Sequence, residues 1–163
     1  MFNIGDKIVY PMQGAGEIKL IEEKEFHGVM QTYYDIALVN NGMKLMLPST
    51  KMDNSNARLI SNPAKFDDIL FNLDKYQTDL DSISKNSKER IEINNEKIKS
   101  GSLEQLTEVI VNLSLMKKQH PLNSSENQIF LKAKRLFIDE MCLAKNISKR
   151  EADNILDEKL NLA

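Results

Sequence analysis

Gly5-Asp6-Lys7-Ile8-Val9-Tyr10-Pro11-Met12-Gln13-Gly14-Ala15-Gly16 is the stretch that decides how the first third of this chain folds. A short apolar run, Ile8-Val9-Tyr10, stops at a proline and meets two glycines. Proline has no N–H to give a sheet ladder, and glycine reaches positive φ cheaply, so a strand is expected to end there in a tight bend. Gly14-Ala15-Gly16 reads as a β-turn. It also resembles the start of a dinucleotide-binding fingerprint, but Lys19 stands where the third glycine belongs and no helical pattern follows.

Further along, Glu17 to Glu25 starts strand-like, with Ile18 and Leu20 on one parity, and then becomes charged. His27-Gly28 predicts a tight turn into Gln31 to Val39, a segment rich in strand formers. Asn40-Asn41-Gly42 predicts a type I′ hairpin, because Asn-Gly supplies the positive φ angles that turn needs. The return strand is Met43 to Leu47, ended by Pro48. Several short strands joined by tight turns imply a strongly bent sheet or small open barrel, SH3/Tudor-like in plan.

Asn62-Pro63 marks the boundary, since Asn is a good N-cap and proline is favoured at the first helical position. Phe66, Ile69, Leu70 and Leu73 then recur at helical spacing. The polar stretch Gln77 to Lys88 predicts a loop, and a helix follows from about Lys88 to Lys99, ending at Gly101. Ser102 with Gln105, Asn123 with Glu126 and Ser148 with Glu151 read as helix starts. Each opens an apolar stripe: Leu103, Leu106, Ile110 and Leu113; Phe130, Ala133, Phe137 and Met141; Ile155 and Leu156. The expected fold class is therefore α+β. A small β-barrel module over residues 1–62 precedes an all-helical bundle over residues 63–163.

Charge and composition narrow the function. Of the 163 residues 41% are apolar and 28% charged, an ordinary globular mixture with a net charge of −2. Up to Asn62 six Lys/Arg face seven Asp/Glu, and beyond it sixteen face seventeen. Neither part has the excess of a free-standing nucleic-acid binder, so any DNA contact is expected to be local and weak without a tether. No apolar run reaches bilayer length, and the single Cys142, in Glu140-Met141-Cys142-Leu143-Ala144, fits a reducing cytoplasm and a buried thiol. His27, His120 and Cys142 make no metal-ligand spacing, and there is no Walker sequence or nucleophile elbow. No cofactor and no catalysis are expected.

The order of these motifs resembles the CarD/CdnL family of bacterial transcription regulators. The β-module carries Phe2-Asn3-Ile4-Gly5-Asp6, Ile8-Val9-Tyr10-Pro11, Gly14, Ile21-Glu22, Gly28, Tyr34, the apolar strand before Pro48, and Arg58. The helical part adds Glu96-Lys97-Ile98-Lys99-Ser100-Gly101, similar to the family's Glu-Lys-Leu-x-Ser-Gly, then Leu131-Lys132-Ala133-Lys134 and Leu143-Ala144-Lys145. It closes with Ile155-Leu156-Asp157-Glu158.

That resemblance implies a monomeric factor docked on the β subunit of bacterial RNA polymerase, with its helical part touching promoter DNA at the upstream edge of the open bubble. The family's docking strand corresponds to Lys44, Leu45, Met46 and Leu47, with Lys24 beside it; Met46 and Lys24 stand where arginines are common. The residues implied for DNA are Lys88, Arg90, Lys97, Lys99, Lys132 and Lys134. The family's Trp-x-Arg-Arg stretch falls on Ser87-Lys88-Glu89-Arg90, so the wedging tryptophan is missing, and Ile83 or Ile91 is the apolar alternative. The rival expectation is a polymerase-bound adaptor that makes no DNA contact and presents its helices to another protein.

Overall fold

In the computed structural model, which describes residues 2–40, 42–79 and 82–162, the glycines after Pro11 do not form the bend. Strand β1, Lys7–Tyr10, turns at Pro11, Met12 and Gln13, with Met12 at φ 71°. Strand β2, Gly14–Phe26, starts at once, so that Tyr10 pairs with Gly14 and Ile8 with Gly16. The β-turn reading of Gly14-Ala15-Gly16 is therefore corrected. Gly16 serves a close strand approach instead: a Cβ there would lie 2.6 Å from the Ala37 carbonyl oxygen across the ladder.

Strand β3, Val29–Leu38, returns through the turn at His27-Gly28, both of which have positive φ. The parity expected of Ile18 and Leu20 fails because the β2/β3 register shifts between them, a bulge that adds Lys19. Ile18 is buried while Leu20 is 49% exposed, and Ile21 takes the inward place beside the core. Strand β4, Lys44–Pro48, lies along β3 with Ile36 opposite Leu45 and Tyr34 opposite Leu47. The expected type I′ turn involves Asn41, which lies outside the described residues. A short helix that the sequence did not announce, α1 (Ser49–Asp53), sinks Met52 into the sheet core. Strand β5, Arg58–Leu59, then pairs with β1.

The architecture is α+β, with a five-stranded antiparallel sheet in the order β4-β3-β2-β1-β5 and six helices among the described residues. The ladders leave β4 and β5 as edges, so hydrogen bonding does not close this sheet into a barrel.

Helix α2 is Pro63–Phe71, with the Asn62 side chain accepting the Lys65 N–H at 2.8 Å, and a 3-10 turn follows at Leu73–Tyr76. Helix α3, Ser87–Lys99, ends at Gly101, whose φ of 76° supplies the left-handed stop. Helices α4 (Leu103–Gln119), α5 (Ser124–Lys145) and α6 (Lys149–Leu162) each start at the cap residue read from sequence: Ser102, Asn123 and Ser148. Their apolar stripes meet in one core around Phe66, Leu113, Phe137 and Met141, where Phe66 and Phe137 stack edge to face at 5.4 Å. Each such side chain contributes roughly 1.5–3 kcal/mol by leaving water.

Sheet and helices share a seam. Met12 packs on the helical core, and Gly14 lies against Asp139 and Leu136 of α5. The buried carboxylate of Glu140 grips the Arg58 guanidinium at 2.8 and 2.9 Å and accepts the Ser61 N–H at 2.9 Å. Arg58 also donates through Nε to the Gly101 carbonyl at 2.7 Å, tying the sheet edge to the α3–α4 corner.

Candidate functional site

Two surfaces can meet a partner: the outer edge of β4 and the cationic sides of the helices. In β4 the side chains alternate. Leu45 and Leu47 pack on the sheet core, whereas Lys44 and Met46 stand exposed. One backbone side of β4 bonds to β3 and the other faces no strand, the arrangement that admits an added strand.

Beside this edge, Lys19, Leu20, Asp35, Ala37, Lys44 and Met46 surround an open groove of about 320 Å³. Its lining is largely apolar because the β2 bulge turns Leu20 outward next to Met46. Asp35, opposite Met46 in the ladder, keeps Oδ1 buried without a hydrogen-bond partner. Lys24 of β2 reaches across to Met46, with Nζ 3.4 Å from the sulfur, and pairs loosely with Glu22 at 3.6 Å. Of the five residues named for docking, Lys24, Lys44 and Met46 stand exposed on the outer face, while Leu45 and Leu47 turn into the sheet core.

The cations named for DNA differ in exposure and in partners. Arg90 is turned inward. Its Nε and Nη2 meet the Glu126 carboxylate at 2.6 and 3.0 Å, its Nη1 donates to the Ser84 carbonyl at 3.0 Å, and only 14% of the side chain is exposed. That geometry fastens α3 and the preceding loop to α5 and takes the charge away from a phosphate. Lys97 pairs with Glu108 of α4 at 3.0 Å. Lys88 and Lys99 are exposed at opposite ends of α3, among Glu89, Glu92 and Glu96. Lys132 is half-buried on α5, and Lys134 is held by Asp157 of α6 at 2.5 Å.

Ser87, the position of the missing tryptophan, opens α3 immediately after its Asn86 cap and is half-buried. Ile91 packs against the helical core, and Ile83 lines a small cavity of about 150 Å³ under the loop before α3.

Residues 2–61 match the family model described as the CarD-like/TRCF RID domain, and residues 73–157 match the one described as CarD, C-terminal domain. The chain belongs to the CarD family. A relative in Bacillus subtilis (strain 168), described as "Putative transcription factor YdeB", is 37% identical over 151 residues, which cover 93% of this chain and 97% of that protein.

In this CarD-family chain some contacts escaped the sequence reading. The sequence marks Arg58 only through the family resemblance, and nothing in it links Arg58 to Glu140, 82 positions away. Arg90 and Glu126, 36 apart, read separately in the sequence, one as an implied DNA contact and the other as half of a cap. No periodicity encodes such pairs. Asp139 also went unremarked. It is almost wholly buried beside Arg135 (3.1 Å) and Lys149 (3.6 Å), and burial raises its carboxyl above the usual range while the two cations oppose that rise. Burial likewise raises the Cys142 thiol, which keeps it protonated and unreactive. Among the described residues no cluster of His, Cys, Asp and Glu could hold a metal ion, and no helix is long and apolar enough to cross a membrane.

Proposed function

We propose that this chain is a non-catalytic transcription regulator of the bacterial cytoplasm. It docks on the β subunit of RNA polymerase through β4 and contacts promoter DNA near the upstream edge of the open bubble with its helical part. Residues 1–62, an open SH3/Tudor-like module, carry the docking, and residues 63–163 carry the DNA contact. Family membership supports the role. The single observation that carries the docking is the unpaired outer edge of β4, with Lys44 and Met46 exposed beside an apolar groove. Main-chain bonds to a polymerase strand supply affinity there, and Lys24, Lys44 and Met46 supply specificity.

Tethering by the β subunit lets individually weak phosphate contacts count, because it raises their effective concentration. The test is the affinity of the full chain for the polymerase β subunit. Met46→Pro removes a ladder donor, and binding is expected to be lost in a variant whose circular dichroism is unchanged. Unchanged affinity in that folded variant overturns the docking model.

The adaptor reading keeps one observation in its favour: Arg90 and Lys97 spend their charge on Glu126 and Glu108 inside the protein. Promoter footprinting of polymerase with and without the factor separates the two, since an adaptor leaves the upstream footprint unchanged.

A further inference from the structure

Helix α3 carries acids where a phosphate contact would need cations. Glu89, Glu92 and Glu96 recur at helical spacing and form one exposed stripe. Glu89 stands at a position where the family's Trp-x-Arg-Arg stretch has an arginine. The ion pairs of α3 among the described residues, Arg90–Glu126 and Lys97–Glu108, leave the stripe out. Lys88 and Lys99 lie only at the two ends of the helix. Like charges three and four residues apart repel on a helix surface, and nothing in the described fold relieves these.

A groove runs beside the stripe. Ile83, Leu113 and Met116 line it together with Ile93, which is 42% exposed and lies within one turn of Glu89 and Glu96. Thr78 and Asn112 supply polar groups at its wall, but they bond to each other at 2.9 and 3.2 Å. The groove therefore offers shape and apolar surface, and the free charge lies at its rim. Its volume of about 150 Å³ suits a benzene-sized group, which is also the size of one leucine side chain.

We propose that α3 and this groove receive a basic amphipathic helix of another protein. One apolar side chain of that helix fills the groove against Ile93 and Met116. Its lysines or arginines, spaced a turn apart, meet Glu89, Glu92 and Glu96. Charge complementarity selects this occupant. The stripe repels a phosphate backbone, and a second copy packed face to face would bring the same acids against it. The contact goes beyond the docking of β4 and the promoter contact, and needs neither.

The test is selection of short peptides from a random display library on the immobilised full chain, with the Glu92→Lys, Glu96→Lys double variant as counter-target. The expected winners carry Lys or Arg at helical spacing beside one Leu, Ile or Met. With a synthetic winner, amide shifts of the isotope-labelled protein concentrate at Glu92, Ile93, Glu96 and Met116. Binding weakens about tenfold when Glu92 and Glu96 are both changed to Gln. Neither side chain makes a hydrogen bond or ion pair among the described residues, so that loss does not come from unfolding. Winners without a basic excess, winners that bind the Lys variant equally well, shifts centred elsewhere in the fold, or no enrichment at all overturn the proposal. So does a short DNA duplex that, without any peptide, produces the same amide shifts, because α3 is then a nucleic-acid face.

Discussion

At the scale of single residues, Arg90, one of six residues the resemblance implies for DNA, is held inside the fold by Glu126. Arg90 is the only partner that the described residues give the buried Glu126 carboxylate apart from the Asn123 cap. Arg90→Ala leaves that charge buried and unpaired, and is expected to cost about 3 kcal/mol, read as a lowered urea midpoint with an unchanged m-value. A phosphate-binding surface arginine would cost almost nothing. Asp139 makes the opposite kind of prediction. Its folded carboxyl is raised by burial, so the folded state binds its proton more tightly than the unfolded chain does. Stability then falls as pH rises from about 4, the ordinary carboxylate value, through the raised folded value, and the penalty stays constant above it. The melting temperature of Asp139→Asn relative to the natural protein should therefore increase across that window and level off. A difference that shrinks with rising pH contradicts the assignment. Ser87→Trp tests the absent wedge at the same scale. An indole at the start of α3 is expected to lengthen open-complex lifetime on a promoter while β-subunit affinity stays the same. If instead Ile83→Ala shortens the lifetime and Ser87→Trp does nothing, the wedge lies in the loop before α3.

At the scale of elements, what could be read in advance was local. The caps at Asn62, Ser102, Asn123 and Ser148 and the stop at Gly101 each depend on residues within a few positions, and each starts or ends a helix as expected. The β2 bulge was not legible, because nothing in Ile18-Lys19-Leu20 says where the partner strand slips. That single shift exposes Leu20 and shapes the groove beside Met46, so part of the candidate docking surface was hidden by the same gap. Helix α1 was missed because its five residues are too few to set up a period. The glycines of β2 were misread because a glycine needed for closeness looks the same in sequence as one needed for a turn. Gly16→Ala separates these meanings. A Cβ 2.6 Å from the Ala37 oxygen forces β2 and β3 apart, and the expected outcome is a loss of roughly 2 kcal/mol or more with faster amide exchange at the β2–β3 rungs. A turn glycine replaced by alanine would leave those rungs protected.

At the scale of the molecule, the arrangement of sheet and helices matters more than any one contact. In a protein that docks by one end and touches DNA by the other, a fixed relation between the two ends raises the effective concentration of the second contact when the geometry matches. The Arg58–Glu140 pair, with Ser61 and Gly101, is the polar tie across that seam. Glu140→Ala strands the Arg58 charge and should loosen the seam. It is expected to leave β-subunit affinity within about twofold, a change under 0.5 kcal/mol, while abolishing the effect on open-complex lifetime. Equal loss of both would show that the tie serves stability alone.

The central claim, that β4 is the polymerase-docking edge, is tested most directly by hydrogen exchange on the full chain with and without RNA polymerase. Because β4 bonds to β3 on one side only, its outward amides exchange freely unless a partner strand covers them. The expected result is strong new protection at the outward amides of Lys44 and Met46 in the complex, with the β1–β5 edge unchanged. A complex that forms while the Lys44 and Met46 amides exchange as before, or that protects the Arg58–Leu59 edge instead, contradicts the account.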